Sequence, residues 1–299
     1  MPPLQVLLSS WTLDPVALVL VGLAAAGYVR GLRAVHRAGG HWPVWRTLAF
    51  LVLGLGSFVV LSCGFVGVYS STLRWAFAVK LSLDLFLVPM LVGLGRPVTL
   101  ARAALGPVGR GRLERWATSR PVRLVSNPIL APLIGFVLFM SFVTPWSFTL
   151  RTSPAIGVVL TVLVPLVGLL MILPNTEEAF FARVGGLLML EFVFVFAELL
   201  LDAIPGVIVR LSGQVLDQHA AAGAGLPWFP NPLRDQQLAG DSLWFIAEII
   251  DLPLIILMFV RFSRTDATEA RSFDELTEDE FTALSQAHLG HRPTPPAEG

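Results

Sequence analysis

The segment from Arg74 to Gly95, RWAFAVKLSLDLFLVPMLVGLG, constrains the fold more than any other. A helix of about 20 apolar residues reaches across the hydrocarbon core of a bilayer. Yet this one carries Lys80 and Asp84 in its interior. Four residues apart, they lie on one helical face and can pair. A charge near the bilayer centre costs about 2.5–3.5 kcal/mol on insertion scales, so it faces protein rather than lipid. The segment therefore needs neighbouring helices that are polar at the same depth.

Composition agrees. The 299 residues are 55% hydrophobic and 14% charged, against about 25% charged in soluble domains. The expected class is an all-α polytopic membrane protein with the lipid bilayer as its surroundings. Net charge is zero, so nothing points to nucleic acid. Cys63 is the only cysteine, which excludes an internal disulfide and a paired-cysteine metal motif. It reads as a small packing residue. No basic region precedes the first apolar run, so residues 1–20 do not read as a cleaved signal peptide.

Apolar runs predict about seven transmembrane helices, over residues 15–29, 47–69, 75–94, 130–149, 154–173, 184–209 and 242–262. Asp14-Pro15 is a favourable helix start. A short turn at 151–154 predicts that the fourth and fifth spans are antiparallel neighbours. The glycines of GLGSF and GFVG in the second span predict close helix contact. Sixteen arginines fall on the side that holds the loop after span one, the 96–127 loop and the tail, and four (Arg74, Arg151, Arg210, Arg234) on the other. That bias predicts an outer N-terminus and a cytoplasmic C-terminus. Residues 1–262 then form the membrane domain, and 263–299 a charged, partly disordered cytoplasmic tail with a short amphipathic helix over 273–287. The basic 96–127 loop should lie on the membrane surface. Asp235 or Asp241 is expected to cap the seventh helix.

Spans six and seven add more ionisable groups. Glu191, Glu198 and Asp202 share one face, as do Glu248 and Asp251. In the predicted orientation Lys80, Asp84, Glu198, Asp202, Glu248 and Asp251 lie at a common depth, with Glu191 deeper. One base facing six acids requires protonated carboxyls, a cation or water. Such a cluster is either a hydrogen-bonded strut between helices or a pocket open to the outer side. All five histidines fall in loops or the tail, and the methionines are scattered as packing residues. No nucleophile elbow, zinc-protease, phosphate-loop or haem-attachment motif is present, so the chain does not read as an enzyme.

Four stretches carry a resemblance: YVRGLRAVHRAGGHWPVWRTLAFLVLGLG at 28–56, VPMLVGLGRPVTLARAAL at 88–105, TPW at 144–146, and NPLRDQQLAGDSLWFIAEI at 231–249. In this order they resemble the CtaG-type membrane proteins, assembly factors for caa3-type cytochrome c oxidase. The resemblance extends over most of residues 12–270 and rests on Asp235, Gln236, Gln237, Gly240, Trp244 and Glu248. It implies a multi-pass protein of the bacterial plasma membrane that contacts oxidase subunits and serves as an accessory or assembly factor. It also implies copper handling through an H-x-x-x-H pair on the third helix. Those positions fall at Phe77 and Leu81 here, and the same face carries Lys80 and Asp84. The alternative reading is a proton or ion pathway along the carboxylates of helices three, six and seven.

Overall fold

Asp14 begins the first long helix as its sequence predicts. Its carboxylate accepts the backbone N–H groups of Val16 (3.0 Å) and Ala17 (3.1 Å), two donors that a helix N-terminus leaves without partners. Pro15 supplies the first helical φ. In the computed structural model the helix continues to Arg37, well past the predicted end at 29. The extra turns carry arginines and His36, which suit the negative end of the helix dipole. Gly39, at φ +76°, then turns the chain away.

The structure describes residues 2–127, 130–176, 200–217 without 202, 226–229 and 231–250, together with 252 and 256. Every regular element among them is helical. In chain order these are α1 (Leu4–Ser9), α2 (Pro15–Arg37), α3 (Val44–Tyr69), α4 (Arg74–Leu94), α5 (Pro97–Ala104), α6 (Pro107–Ala117), α7 (Arg120–Val125), α8 (Leu130–Met140), α9 (Trp146–Thr152) and α10 (Pro154–Thr176). Then follow α11 at 203–211 and α12 at 232–250. Among the described residues α2, α3, α4 and α10 are long and apolar enough to cross a membrane. They coincide with predicted spans one, two, three and five. The chain clusters into two units, Met1–Pro253 and Leu254–Gly299. Of the second unit only Ile256 is among the described residues, so the predicted tail and its amphipathic helix lie outside them.

Three expectations are corrected. The predicted fourth span, 130–149, is not one helix: α8 ends at Met140, residues 141–145 turn, and α9 begins at Trp146. The hydroxyls of Ser141 and Thr144 donate to the carbonyls of Leu138 and Ser141, holding the turn where Pro145 offers no N–H. The seventh helix starts ten residues before the predicted 242, and neither Asp235 nor Asp241 caps it. Asn231 does, accepting the N–H of Arg234 at 3.0 Å ahead of Pro232. Asp241 instead sits within α12 and pairs with Arg210 of α11 at 2.8 Å.

Close crossings set the bundle geometry. α4 winds as a π-helix from Leu83 to Leu87, just before Pro89, which has no N–H to give the carbonyl of Leu85. At that point α10 crosses with Gly168, where a Cβ would stand 2.0 Å from the Leu85 oxygen. Gly54 of α3, one of the predicted contact glycines, lies against the backbone of Val92 in the same way. The apolar core of α4 is formed by Phe77, Ala78, Leu81, Leu85 and Phe86, packed with Phe139 and Phe142 and with Leu243, Ala247 and Ile250 of α12. Cys63 is buried and unpaired, as a packing residue should be. The basic 96–127 segment forms the short helices α5–α7, the first two of them joined by an Arg102–Glu114 contact at 3.5 Å.

Candidate functional site

α4 begins without a cap of its own, since Leu73 at the N-cap position has no polar side chain. The missing acceptor comes from α12. Asp235 takes the N–H of Arg74 at 2.8 Å and that of Trp75 at 3.0 Å. Next to it, Gln236 is fully buried, and its carbonyl accepts from the Arg74 guanidinium at 2.9 Å and from Leu216 N–H at 2.8 Å. The Gln236 amide donates to the carbonyl of Gln214 at 2.9 Å. Arg74, only 2% exposed, also donates to the Phe142 carbonyl. A buried polar layer thus ties the start of α4 to α12, to the end of α8 and to the 212–217 loop.

A second buried pair adjoins it. Arg151 of α9 meets Asp217 at 3.0 Å, and its other terminal nitrogen donates to the carbonyls of Ser71 and Thr72. Buried charges persist only when paired and hydrogen-bonded, and Arg151 and Asp217 balance.

Inside α4, Lys80 and Asp84 form the predicted ion pair, at 2.9 Å. Asp84 is 2% exposed and Lys80 14%. The pair lines a cavity of about 250 Å³ between α3, α4 and α10, whose rim includes Asp14 and Arg151. Lys80 is the only lysine beside twenty arginines in the whole chain.

The structure separates the predicted site residues. Lys80 and Asp84 stay together. Asp235 and Gln236 belong to the Arg74 layer, and the side chain of the half-buried Gln237 makes no hydrogen bond among the described residues. Gly240 lies against Gly206 at the crossing of α12 and α11, where a Cβ on either would come within 2.8 Å of the other's oxygen. Trp244 packs over Gly206 and donates its indole N–H to Glu248, one turn along. Glu191, Glu198, Asp202 and Asp251 lie outside the described residues. Sequence reasoning missed Arg74, Arg151 and Asp217 as interior groups. Arg74 and Arg151 read as outer-loop cations, and a guanidinium next to a span end gives no local sign that its partner lies more than sixty residues away.

Copper, implied by the resemblance, does not suit these side chains. It is held by imidazole, thiolate or thioether donors. Phe77 and Leu81 are buried in the apolar core, the neighbouring polar groups are an ammonium and a carboxylate bonded to each other, and Cys63 stands alone. Among the described residues no group of three or more His, Cys, Asp or Glu side chains is placed to hold a metal.

Comparison with known proteins places this architecture. The chain is 27% identical to an uncharacterized protein of Mycobacterium bovis over 302 aligned residues, which cover 94% of the chain and 43% of that protein. The same figures hold for an uncharacterized protein of Mycobacterium tuberculosis. One of Mycobacterium leprae is 26% identical, over 86% of the chain and 40% of its own length. The chain therefore spans less than half the length of these relatives. No solved structure is significantly similar to it. Bacterial relatives and four membrane-length helices mark a bacterial membrane protein. The profile of the cytochrome c oxidase caa3 assembly factors matches residues 26–265, and the chain belongs to that family.

Proposed function

We propose that the protein is a multi-pass, non-catalytic assembly factor of the bacterial plasma membrane that supports a caa3-type cytochrome c oxidase by binding its subunits rather than by carrying copper. The family match over residues 26–265 carries the oxidase assignment. The donor set of α4 argues against copper, because apolar side chains and an ion pair stand where the resemblance places imidazole donors. Seven spans with the N-terminus outside remain the reading of the arginine bias.

Deletion of the gene in the source bacterium tests the assignment. Oxidase activity and the level of assembled oxidase are expected to fall, and to return when the gene is supplied in trans. Full activity in the deletion strain would sink the proposal. Purified protein loaded with Cu(I) and then desalted is expected to retain far less than one copper per chain; stoichiometric retention would overturn the copper-free part alone.

The Lys80–Asp84 pair beside a cavity favours one further reading, a proton or ion pathway through the carboxylates of helices three, six and seven. Proteoliposomes under an imposed pH gradient distinguish it: flux that disappears in Asp84→Asn would favour the pathway over the assembly role.

A further inference from the structure

We propose that α6 and α7 form a binding surface for anionic phospholipids: their arginines take the phosphates, and the apolar side chains set among those arginines enter the acyl boundary. The end of the bundle that carries them is tightly assembled. The Tyr28 hydroxyl of α2 donates to the Gly95 carbonyl at 2.9 Å and accepts from the Trp42 indole at 3.0 Å. Arg96, at φ +48°, then turns the chain out of α4, and α5 starts at the next residue. Buried Leu100 of α5 packs on α2 at Gly31, where a Cβ would stand 3.3 Å from it. Arg110 fastens α6 to α5, its Nε donating to the carbonyls of Arg102 and Leu105 at 2.8 and 2.9 Å. The surface is therefore held at the ends of the membrane-length helices α2 and α4, where headgroups lie.

Its exposed faces mix two residue types. Val108, Arg112, Arg115 and Trp116 fall on one side of α6. Val108 is 72% and Trp116 44% exposed, while Ala117 opposite is buried. The pattern repeats in α7: Arg120, Arg123 and Leu124 face outward, with Leu124 57% exposed, and Val122 opposite is buried. Glu114 is the only acidic residue between Asp84 and Glu177 in the sequence, and Arg102 engages it. The arginines on these two faces make no ion pair among the described residues. Charge therefore calls for an anionic partner, and guanidinium forks bind phosphate bidentately. The apolar residues decide which one. Valine, tryptophan and leucine among arginines suit the boundary between headgroups and acyl chains, where tryptophan is enriched and amphipathic helices lie in plane. An acidic soluble protein would match the charge alone.

The test uses full-length protein in phosphatidylcholine vesicles with a trace of spin-labelled phosphatidylglycerol or phosphatidylcholine. Electron paramagnetic resonance reads the fraction of each lipid that the protein immobilises. The anionic lipid is expected to associate about threefold more strongly, and Arg112→Gln with Arg115→Gln to remove about half of that excess. Arg234→Gln is the control: this exposed arginine precedes Asp235, which caps the opposite end of α4, and its loss should leave the excess unchanged. A nitroxide on Val108→Cys, in Cys63→Ala protein, is expected to be relaxed more by oxygen than by an aqueous nickel chelate. Equal association of the two lipids would overturn the proposal. So would an excess untouched by the double variant, an equal loss in Arg234→Gln, or a Val108 nitroxide relaxed chiefly by the chelate, the result expected if the surface awaits a soluble acidic partner. None of these outcomes bears on the oxidase assignment, which the deletion strain tests separately.

Discussion

Asp235 caps the helix that Arg74 begins, from 161 residues further along the chain. A helix N-terminus exposes N–H groups that a nearby Ser, Thr, Asp or Asn normally satisfies. Here Leu73 offers nothing, and the acceptor arrives from the first turn of α12. The start of α4 and the start of α12 are therefore held as one unit, and the ion pair inside α4 rests on that anchor.

Asp235→Ala removes both bonds and leaves the Arg74 guanidinium with less opposite charge nearby. The expected loss is about 1–2 kcal/mol, the range typical of removing an N-cap acceptor. Thermal unfolding in detergent reads this as a clear drop in melting temperature. Asp235→Asn keeps one acceptor and should lose less; equal losses would show that charge, not capping, is what Asp235 provides.

Lys80→Met strands Asp84 in a buried site and should destabilise by about 3–5 kcal/mol. Lys80→Met with Asp84→Leu removes both charges and should recover most of the loss, since apolar replacement of a buried pair is often neutral or better. A double variant as unstable as the single one would mean that Asp84 and Lys80 are held by partners other than each other. An unchanged single variant would show that the ammonium reaches water along its own stem.

Gly168→Ala places a methyl 2.0 Å from the Leu85 carbonyl oxygen and 2.6 Å from the Pro89 ring. Neither backbone nor a proline ring can swing aside, so α10 and α4 must separate. Loss of several kcal/mol, or of folded protein in the membrane fraction, is expected. Gly157→Ala on the same helix, with nothing within 4 Å of its Cβ, is the matched control and should be close to silent.

Local chemistry was legible before the fold. Asp14-Pro15 opened α2, Lys80 and Asp84 paired across one helical turn, and Gly54 marked a close crossing, because each depends on residues a few positions apart or on an absent side chain. Boundaries were less so. Hydropathy treats 130–149 as one span since SFVTP is apolar enough to pass, while the hydroxyl-to-carbonyl bonds that turn the chain there do not register in hydropathy. Hydropathy places the start of α12 ten residues late because its first turns are polar, and two of those polar residues, Asp235 and Gln236, are buried against the start of α4.

The sequence by itself determined the membrane class, the apolar helices, the ion pair within α4 and the family. Those follow from composition, a period of 3.6 residues and short ordered motifs. Only the tertiary structure decided that Asp235 serves α4, that Arg151 meets Asp217 across 66 residues, and that Lys80 borders a cavity. Such contacts depend on how helices cross, and crossing is set by packing at Gly54, Gly168 and Gly206 rather than by the residues that then meet.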